Sequence, residues 1–311
     1  MADSPQVAGH RVPIAVTPWH LRMGKSALVY LQLTKPRVIE LLLVTTLPAM
    51  ILAAGELPPI ALIAEVLVGG ALAAGGANTI NCWIERDRDH LMRRTARRPL
   101  PSGQIAPERA LVFGLLLEVA AFALLWGTVN LLSAVLAVTA TLFYVFVYTI
   151  WLKPRSPQNI VIGGAAGAVP VLVGWAAVTG ELAAPAWVLF AIVFFWTPPH
   201  FWALSLRYFD DYKAAGIPML PVAKGVDVAL REIVVYSVVV FATTLTLPLV
   251  ADTGVIYVIA AVLLGLVFVW RSFQLARHST PERAIEFFTL SNLYLATLFA
   301  AIAVDTLVQS I

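Results

Sequence analysis

Long apolar stretches separated by short polar connections run along most of the chain. A helix needs roughly 20 apolar residues to cross a bilayer core of about 30 Å, and stretches of that length recur nine times. We place the predicted spans at residues 38–54, 59–82, 109–127, 129–150, 159–179, 186–206, 232–250, 255–272 and 287–309. This pattern predicts an all-α, polytopic membrane protein.

The basic residues are confined to one set of connections. All 21 lysines and arginines lie in the N-terminal segment, in residues 86–109, 153–155, 207–231 and 271–283, or at helix ends next to these. The charged residues of the opposite connections are all acidic, namely Glu56, Glu181 and Asp252. Because cytoplasmic loops carry the excess of lysine and arginine, we expect a cytoplasmic N-terminus and an outer C-terminus. A miscount by one helix would scramble this separation.

Composition agrees with the bilayer as solvent. The 311 residues are 60% hydrophobic and 13% charged, with a mean hydropathy of +0.85, which excludes an ordinary soluble domain. The single cysteine, Cys82, excludes an internal disulfide and a multi-cysteine metal site.

The sequence predicts a single domain. Residues 30–311 form a single transmembrane domain, and residues 1–29 a cytoplasmic or interfacial segment in which Trp19 and His20 are expected to sit at the membrane interface. The first residues show no pattern of a signal or transit peptide. These features predict a bacterial inner membrane protein whose functional face is the cytoplasmic one.

A polar face follows the end of the second predicted span. At 3.6 residues per turn, Asn78, Asn81, Glu85 and Asp89 fall within an arc of roughly 80°, whereas Asp87 points away. Stacked carboxylates repel each other, so this face needs a positive partner. The partner is either a network of neighbouring arginines or Mg²⁺, which prefers carboxylate and amide oxygens and is commonly shared with a substrate's phosphates.

A basic run follows this acidic face within a turn or two. It contains Arg94 and Arg98 and ends at a Pro-Leu-Pro-Ser-Gly stretch. An isolated basic run is usually plain cytoplasmic charge, which can contact anionic lipid. Next to a carboxylate-held metal, guanidinium forks are the groups that grip a diphosphate.

A second polar cluster ends the sixth predicted span. Pro198 and Pro199 predict a break or kink in the helix. Beyond it, one shared face is expected to hold His200, Arg207, Tyr208 and Asp211. A histidine at a membrane edge is either a hydrogen-bonded structural residue or a functional one, which ligates an iron, orients a carboxylate or handles a proton.

Other polar or small residues in the spans remain unassigned or have a packing role. Glu40, Glu65 and Glu118 lie within or at the edges of spans and receive no assignment. Residues 163–167 form a small-residue face that permits close helix contact and would also let a polyisoprenoid chain pass.

Together the two polar clusters resemble the intramembrane prenyltransferase superfamily, and within it the protohaem IX farnesyltransferase, or haem O synthase, family. The resemblance covers nearly the whole chain. The first acidic motif alone indicates only the superfamily, whereas the Pro-Pro-His-Phe-Trp and Gly-Ile-Pro-Met-Leu-Pro stretches indicate the haem-modifying branch. The matching segments are residues 33–37, 78–100, 153, 159–164, 196–202, 210–212 and 216–222.

The resemblance implies a nine-helix bundle around a central cavity that is capped by the two polar loops. It implies that Mg²⁺ on Asn81, Glu85 and Asp89 ionises a prenyl diphosphate, with His200 and Asp211 as further catalytic residues. The diphosphate would be bound by Asn78, Arg94, Arg98, Lys35, Lys153 and Asn159. The haem or second site would be formed by His200, Arg207, Tyr208, Asp210 and Tyr212.

Two positions depart from the superfamily pattern. Glu85 stands where Asp is commoner, but it keeps the negative charge. The second motif is not Asp-rich as in relatives that prenylate aromatic rings, since Tyr208 and Tyr212 flank Asp210 and Asp211. This departure suits the haem branch and leaves the number of metal ions open.

The implied reaction transfers a farnesyl group from farnesyl diphosphate to a vinyl group of haem B, with addition of water, to give haem O. Association with haem A synthase is a further expectation. The alternatives are an aromatic or quinone-precursor prenyltransferase on the same scaffold, a secondary transporter, whose inverted repeats are not found here, and a membrane assembly factor without chemistry. No nucleic-acid partner is expected.

Overall fold

A computed structural model describes residues 19–311, with side chains from Ala27 onward. Within that range the backbone is helical apart from short connections and contains no strand. The expected interfacial side chains of Trp19 and His20, and most of the segment 1–29, lie outside the described residues.

The helices follow one another in an up-and-down order. A first helix, α1 (Trp19–Thr34), comes before the bundle, and two short helices, α8 (Phe209–Ala214) and α9 (Leu220–Lys224), interrupt it. The long helices are α2 (Pro36–Ala54), α3 (Ile60–Asp89), α4 (Pro107–Leu124), α5 (Leu131–Leu142), α6 (Asn159–Thr179), α7 (Ala184–Arg207), α10 (Val226–Thr244), α11 (Val255–Arg277) and α12 (Pro281–Gln309). Three of them end in tighter or wider turns, which are the π-helices Leu125–Val129 after α4 and Phe143–Leu152 after α5 and the 3₁₀ turn Leu247–Leu249 after α10.

The nine predicted spans are confirmed in the described part of the chain, which holds nine helices long and apolar enough to cross a membrane. The boundaries differ most at three places. Helix α3 continues seven residues past the predicted end at 82, and α10 and α12 begin six residues before the predicted starts at 232 and 287. Each of these extra turns contains acidic and basic residues, so the apolar stretch ends there while the helical hydrogen bonds continue beyond it.

Of the break or kink predicted at the proline pair, the break is wrong. Helix α7 runs without interruption through Pro198 and Pro199. Both prolines are buried among neighbouring helices. Prolines are tolerated in membrane helices where packing against other helices supports the freed backbone groups.

Helices α2, α6 and α7 form the interior of the bundle. Helix α2 packs against α3, α6 and α12, and α7 packs against α6, α10 and α12. Outward-facing side chains such as Leu116, Val119 and Leu263 are more than half exposed, as expected for a lipid-facing surface. The alternating spans bring residues 90–106 and 208–225 to the same end of the bundle.

The small-residue face of α6 allows close helix contact, as expected. A Cβ atom at Gly163 would lie 2.2 Å from the Tyr148 ring, and one at Gly164 would lie 2.9 Å from Thr197. Gly167, one turn further, has open space around the same position. The face therefore combines two tight contacts with one unfilled position.

Candidate active site

The acidic face of α3 is turned into the protein. Asn78, Asn81, Glu85 and Asp89 are all at most 5% exposed, whereas the Asp87 side chain is 84% exposed. This burial agrees with the face that the helical spacing predicts. Because buried carboxylates are unfavourable without partners, the face must meet positive groups.

Three bases from three other segments meet this face. Lys35 comes from the α1–α2 junction, Lys153 from the end of the π-helix after α5, and Arg98 from the loop after α3. The contacts are Lys35 Nζ to Asn81 Oδ1 at 2.7 Å, Lys153 Nζ to the two Glu85 carboxylate oxygens at 2.5 and 2.7 Å, and Arg98 to Asp89 Oδ2 at 2.9 Å.

Lys35 reaches Asn81 from an unusual backbone conformation. Its φ of +54° is the only positive φ of a described non-glycine residue. A residue before proline prefers extended backbone, and left-handed conformations are unfavourable for residues with a Cβ atom. Such outliers cluster at functional sites, so the strain at Lys35 supports its place in the site.

The π-helix positions the second base. Here the Thr149 hydroxyl donates to the Tyr144 carbonyl and the Lys153 amide to the Tyr148 carbonyl, both across five residues at 2.8 Å. Thr149 Oγ1 also accepts a hydrogen bond from Asn81 Nδ2 at 3.0 Å. Since π-helical turns recur at functional sites, this wide turn accounts for the approach of Thr149 and Lys153 to α3.

The pKa values of the three bases are shifted in different directions. Burial lowers the pKa of the Lys35 ammonium below its usual value, because Lys35 meets an amide rather than a carboxylate. Burial also acts against the charge on Lys153, but the Glu85 carboxylate outweighs it and raises the Lys153 pKa. Arg98 follows the same pattern, since burial opposes its charge while Asp89 raises its pKa.

A second acidic residue ties the two polar loops together. Asp211 on α8 accepts a hydrogen bond from the Arg94 backbone amide at 3.3 Å and pairs with Arg93 at 3.6 Å. The Arg94 guanidinium lies over the Tyr208 ring at 5.1 Å and donates to the Tyr212 hydroxyl at 3.3 Å. These contacts join the loop after α3 to the one after α7, as the capping of the bundle by both loops requires.

The α3 face suits a hard divalent cation. Asn81, Glu85 and Asp89 supply amide and carboxylate oxygens, which are the ligands that Mg²⁺ takes. The Asp89 Oδ1 atom is buried and has no hydrogen-bond partner in the described chain, so a lone pair remains available for a cation. The bases around the site, Lys35, Arg93, Arg94, Arg98 and Lys153, outnumber the carboxylates Glu85, Asp89 and Asp211 by five to three. This excess of positive charge suits a polyanionic ligand.

His200 belongs to a separate, aromatic cluster. Its ring stacks between Trp196 at 4.2 Å and Phe288 at 4.3 Å, and its Nδ1 atom lies 2.7 Å from the Ser291 hydroxyl on α12. Helix α7 ends at Arg207 and Asp211 lies on α8. The predicted common face of the second cluster is therefore divided between two helices.

Several predicted residues stand apart from the acid-base cluster. Arg207 and Asp210 are exposed at the end of α7 and on α8. Asn78 donates to the Thr34 carbonyl at 2.9 Å, behind Lys35. Asn159 is fully buried and donates to the Ser156 carbonyl at 2.7 Å, while its own amide oxygen has no partner in the described chain.

Sequence reasoning did not select Thr149, Ser291 or Arg93. Thr149 and Ser291 are 68 and 91 residues distant in sequence from the side chains that they contact, and an isolated hydroxyl in an apolar span carries no local signal. Arg93 stood within the basic run, but nothing in that run distinguished it from its neighbours.

Nine helices long enough to cross a membrane, with charged groups of both signs buried at one end in the described part of the chain, define a multi-pass membrane protein. The chain matches the UbiA prenyltransferase family over residues 42–298. Proteins named "Protoheme IX farnesyltransferase" from Mycobacterium sp. (strain KMS) and Frankia casuarinae are 53% and 50% identical to it over 289 residues, which is 92% of this chain and 92% and 100% of theirs.

Solved structures share the fold at low sequence identity. The chain superposes with a TM-score of 0.73 on a structure described as digeranylgeranylglyceryl phosphate synthase, at 18% identity over 91% of this chain and 99% of the other. It superposes with a TM-score of 0.62 on a UbiA homologue from Archaeoglobus fulgidus bound to GPP and Mg²⁺, at 19% identity over 88% of this chain and 99% of the other.

The chain belongs to the UbiA prenyltransferase family and, within it, to the protohaem IX farnesyltransferase branch. The resemblance drawn from the sequence motifs is therefore confirmed.

Proposed function

We propose that the protein transfers the farnesyl group of farnesyl diphosphate to a vinyl group of haem B and yields haem O. The observation that carries the proposal is the buried cluster in which Lys35, Lys153 and Arg98 hold Asn81, Glu85 and Asp89. Relatives that are half identical over most of the chain are named for this activity.

The bases of this cluster are proposed to receive the diphosphate. Without substrate, Lys153 and Arg98 pair with Glu85 and Asp89, and Lys35 bonds the Asn81 amide. Arg94 is held beside them by Tyr208 and Tyr212. Arginine forks and lysine ammonium groups form strong charge-assisted bonds with phosphate oxygens. A substrate carrying both a diphosphate and a divalent cation would satisfy the bases and the acids together.

The oxygens of Asn81, Glu85 and Asp89 are proposed to hold Mg²⁺. When bound, the ion supplies Lewis-acid neutralisation of the departing diphosphate. The unpartnered Asp89 Oδ1 supports this role. Asn78 keeps α1 against α3 through its bond to the Thr34 carbonyl, and Asn159 borders the same end of the bundle.

In the reaction three bonds break, namely the allylic C1–O bond, the vinyl π bond of haem B and one O–H bond of water, and a carbon–carbon and a carbon–oxygen bond form. The allylic C1–O bond of farnesyl diphosphate breaks, and its electron pair leaves with the diphosphate. The vinyl π electrons of haem B form the new carbon–carbon bond at the allylic cation. Water adds to the resulting carbocation next to the porphyrin ring and loses a proton, so that a hydroxyethylfarnesyl side chain results.

The protein must exclude water from the first cation and admit one molecule to the second. The farnesyl tail is proposed to lie among the apolar helices, beside the open space at Gly167. His200, within its aromatic cluster, is proposed to serve the haem side of the reaction. Arg207 follows it at the rim of the bundle, where its guanidinium would meet a haem propionate.

The location of the site is part of the proposal. Since lysines and arginines mark the cytoplasmic side of a membrane protein, the acid-base cluster would face the cytoplasm of a bacterial inner membrane. Association with haem A synthase would follow from the poor solubility of the product, and co-purification of the two proteins in mild detergent tests it.

Purified protein supplied with haem B, farnesyl diphosphate and Mg²⁺ tests the activity. We expect mass spectrometry to find haem B increased in mass by one farnesyl group and one hydroxyl group. 4-Hydroxybenzoate offered as a competing acceptor should remain unmodified. Intact haem B with folded protein would contradict the proposal, and prenylated 4-hydroxybenzoate would assign the chain to the quinone-precursor class.

A further inference from the structure

The hydroxyl of Ser291 has one hydrogen and two close neighbours. Its oxygen lies 2.7 Å from the Phe288 carbonyl oxygen and 2.7 Å from His200 Nδ1. Two oxygens at this separation attract each other only when a hydrogen lies between them, because otherwise their lone pairs repel. The Ser291 hydrogen is therefore committed to the Phe288 carbonyl.

This commitment determines the protonation of the imidazole. With its hydrogen directed to Phe288, Ser291 can only accept a hydrogen bond from His200, so Nδ1 must carry the proton. A neutral imidazole with hydrogen on Nδ1 has an unprotonated Nε2. In the described chain Nε2 makes no hydrogen bond with protein, so its lone pair is available to another molecule.

The ring is also held against a rotation that would move Nδ1 away from Ser291. Trp196 and Phe288 cover its two faces at interplanar angles of 23° and 27°. The Trp196 indole donates to the Ser291 carbonyl at 2.9 Å, so α12 fixes the hydroxyl, the stacked ring and the imidazole as one unit. His200 is 5% exposed, which leaves little room for rotation.

We propose that Ser291 is a positioning residue that holds His200 in the Nδ1–H form and so presents the Nε2 lone pair to the haem substrate. The catalytic consequence rests on the proposed function, whereas the protonation state does not. The lone pair can ligate the haem iron or take the proton of the water that ends the reaction. Both roles need the same tautomer, and both are lost with it.

Nitrogen NMR of the full-length protein, labelled with ¹⁵N-histidine and held in detergent, measures the tautomer directly. His200→Gln identifies the His200 signals among the five histidines. We expect the wild type to show a protonated Nδ1 and an unprotonated Nε2. Ser291→Ala should give a mixture of tautomers, because Nδ1 loses its acceptor. The control is Ser272→Ala, a buried α11 serine whose hydroxyl also bonds a carbonyl three residues earlier.

Kinetics test the consequence for the reaction. Supporting residues behind a ligating histidine typically contribute about 10- to 100-fold, so Ser291→Ala should lower kcat by that factor while KM for farnesyl diphosphate stays within about twofold. A haem absorption spectrum that changes between wild type and Ser291→Ala assigns iron ligation, and an unchanged spectrum with reduced kcat assigns proton transfer.

The NMR measurement and the kinetics can contradict the proposal independently of each other. A wild-type His200 protonated at Nε2, or an unchanged tautomer in Ser291→Ala, overturns the positioning role whatever the activity of the protein. A kcat equal to that of Ser272→Ala overturns its catalytic consequence. An Nδ1–H tautomer in a protein that never modifies haem would leave the positioning role intact and remove the proposed function.

Discussion

Glu85 is held through both carboxylate oxygens by Lys153, and their side chains are only 5% and 14% exposed. Removing two charges from water is unfavourable, and a buried ion pair is weak evidence for a stabilising role. Its presence beside Asn81 and Asp89 is better explained by the proposed role of those oxygens in holding Mg²⁺. Glu85 is therefore the first residue to mutate in a test of this role.

Glu85→Gln should lower the turnover of farnesyl diphosphate at least about 100-fold, the scale typical for loss of one preorganised electrostatic group. The amide keeps the shape of the side chain but lacks the negative charge that a divalent cation needs. Product formation is measured per folded protein, because the unbalanced Lys153 is also expected to lower the thermal midpoint.

The matched control is Asp87→Asn on the same helix, where the carboxylate is 84% exposed. It makes the same chemical change outside the buried face, so its turnover should stay within about twofold. Equal rates in the two variants would remove Glu85 from the metal site.

Residue patterns predict one half of this site and not the other. The face of Asn81, Glu85 and Asp89 follows from helical periodicity, which needs only local sequence. The pairing of each with its own base could not be predicted, because Lys35 and Lys153 lie 46 and 68 residues from their partners. Three-dimensional packing decides such pairs.

At the scale of elements, α8 fastens the loop that carries the arginines. Asp211 accepts the Arg94 backbone amide, while neighbouring Asp210 is exposed. Loss of a hydrogen bond to a charged group amounts to about 1.5–3 kcal/mol. Asp211→Ala should therefore raise KM for farnesyl diphosphate about tenfold or more, because Arg94 and Arg98 are then less well placed.

Limited trypsin digestion checks the same change independently of activity. The Asp211→Ala protein should be cleaved faster within residues 93–98 than the wild type, and Asp210→Ala should not. If both variants keep wild-type KM and digestion rates, α8 does not position the loop.

The contact between the π-helix after α5 and α6 gives a stability prediction with a control one turn away. Gly163→Ala would place a methyl group 2.2 Å from the Tyr148 ring, whereas Gly167→Ala meets open space. Overpacking typically destabilises by about 1–3 kcal/mol, so only Gly163→Ala should lower the thermal unfolding midpoint in detergent. A similar midpoint in both variants would show that the helices separate easily here.

Elements differ in how far the sequence predicts them. Nine spans follow from apolar length, because the bilayer imposes one dimension on every helix. The π-helix Phe143–Leu152 has no such signature in its apolar sequence, and it is this turn that directs Thr149 and Lys153 to α3. The unbroken α7 at Pro198 and Pro199 shows a local rule overridden by tertiary packing.

For the whole molecule, the separation of charge is the property that gives the site its direction. The connections 90–106 and 208–225 contain the bases, and the opposite connections contain Glu56, Glu181 and Asp252. The nine confirmed spans keep these two sets at opposite ends. Which end faces the cytoplasm is a prediction from charge alone, and it can be measured.

Cysteine labelling suits this measurement because the single native cysteine, Cys82, is buried and can be replaced by alanine. Single cysteines are then introduced at two exposed positions, Ser102→Cys between α3 and α4 and Glu181→Cys between α6 and α7. A membrane-impermeant maleimide added to intact cells should label only the Glu181→Cys protein, and both should react after permeabilisation. Labelling of Ser102→Cys alone would place the acid-base cluster on the outer face, out of reach of a cytoplasmic prenyl diphosphate. Labelling of both in intact cells would contradict the nine-span topology, since an odd number of crossings separates these two positions.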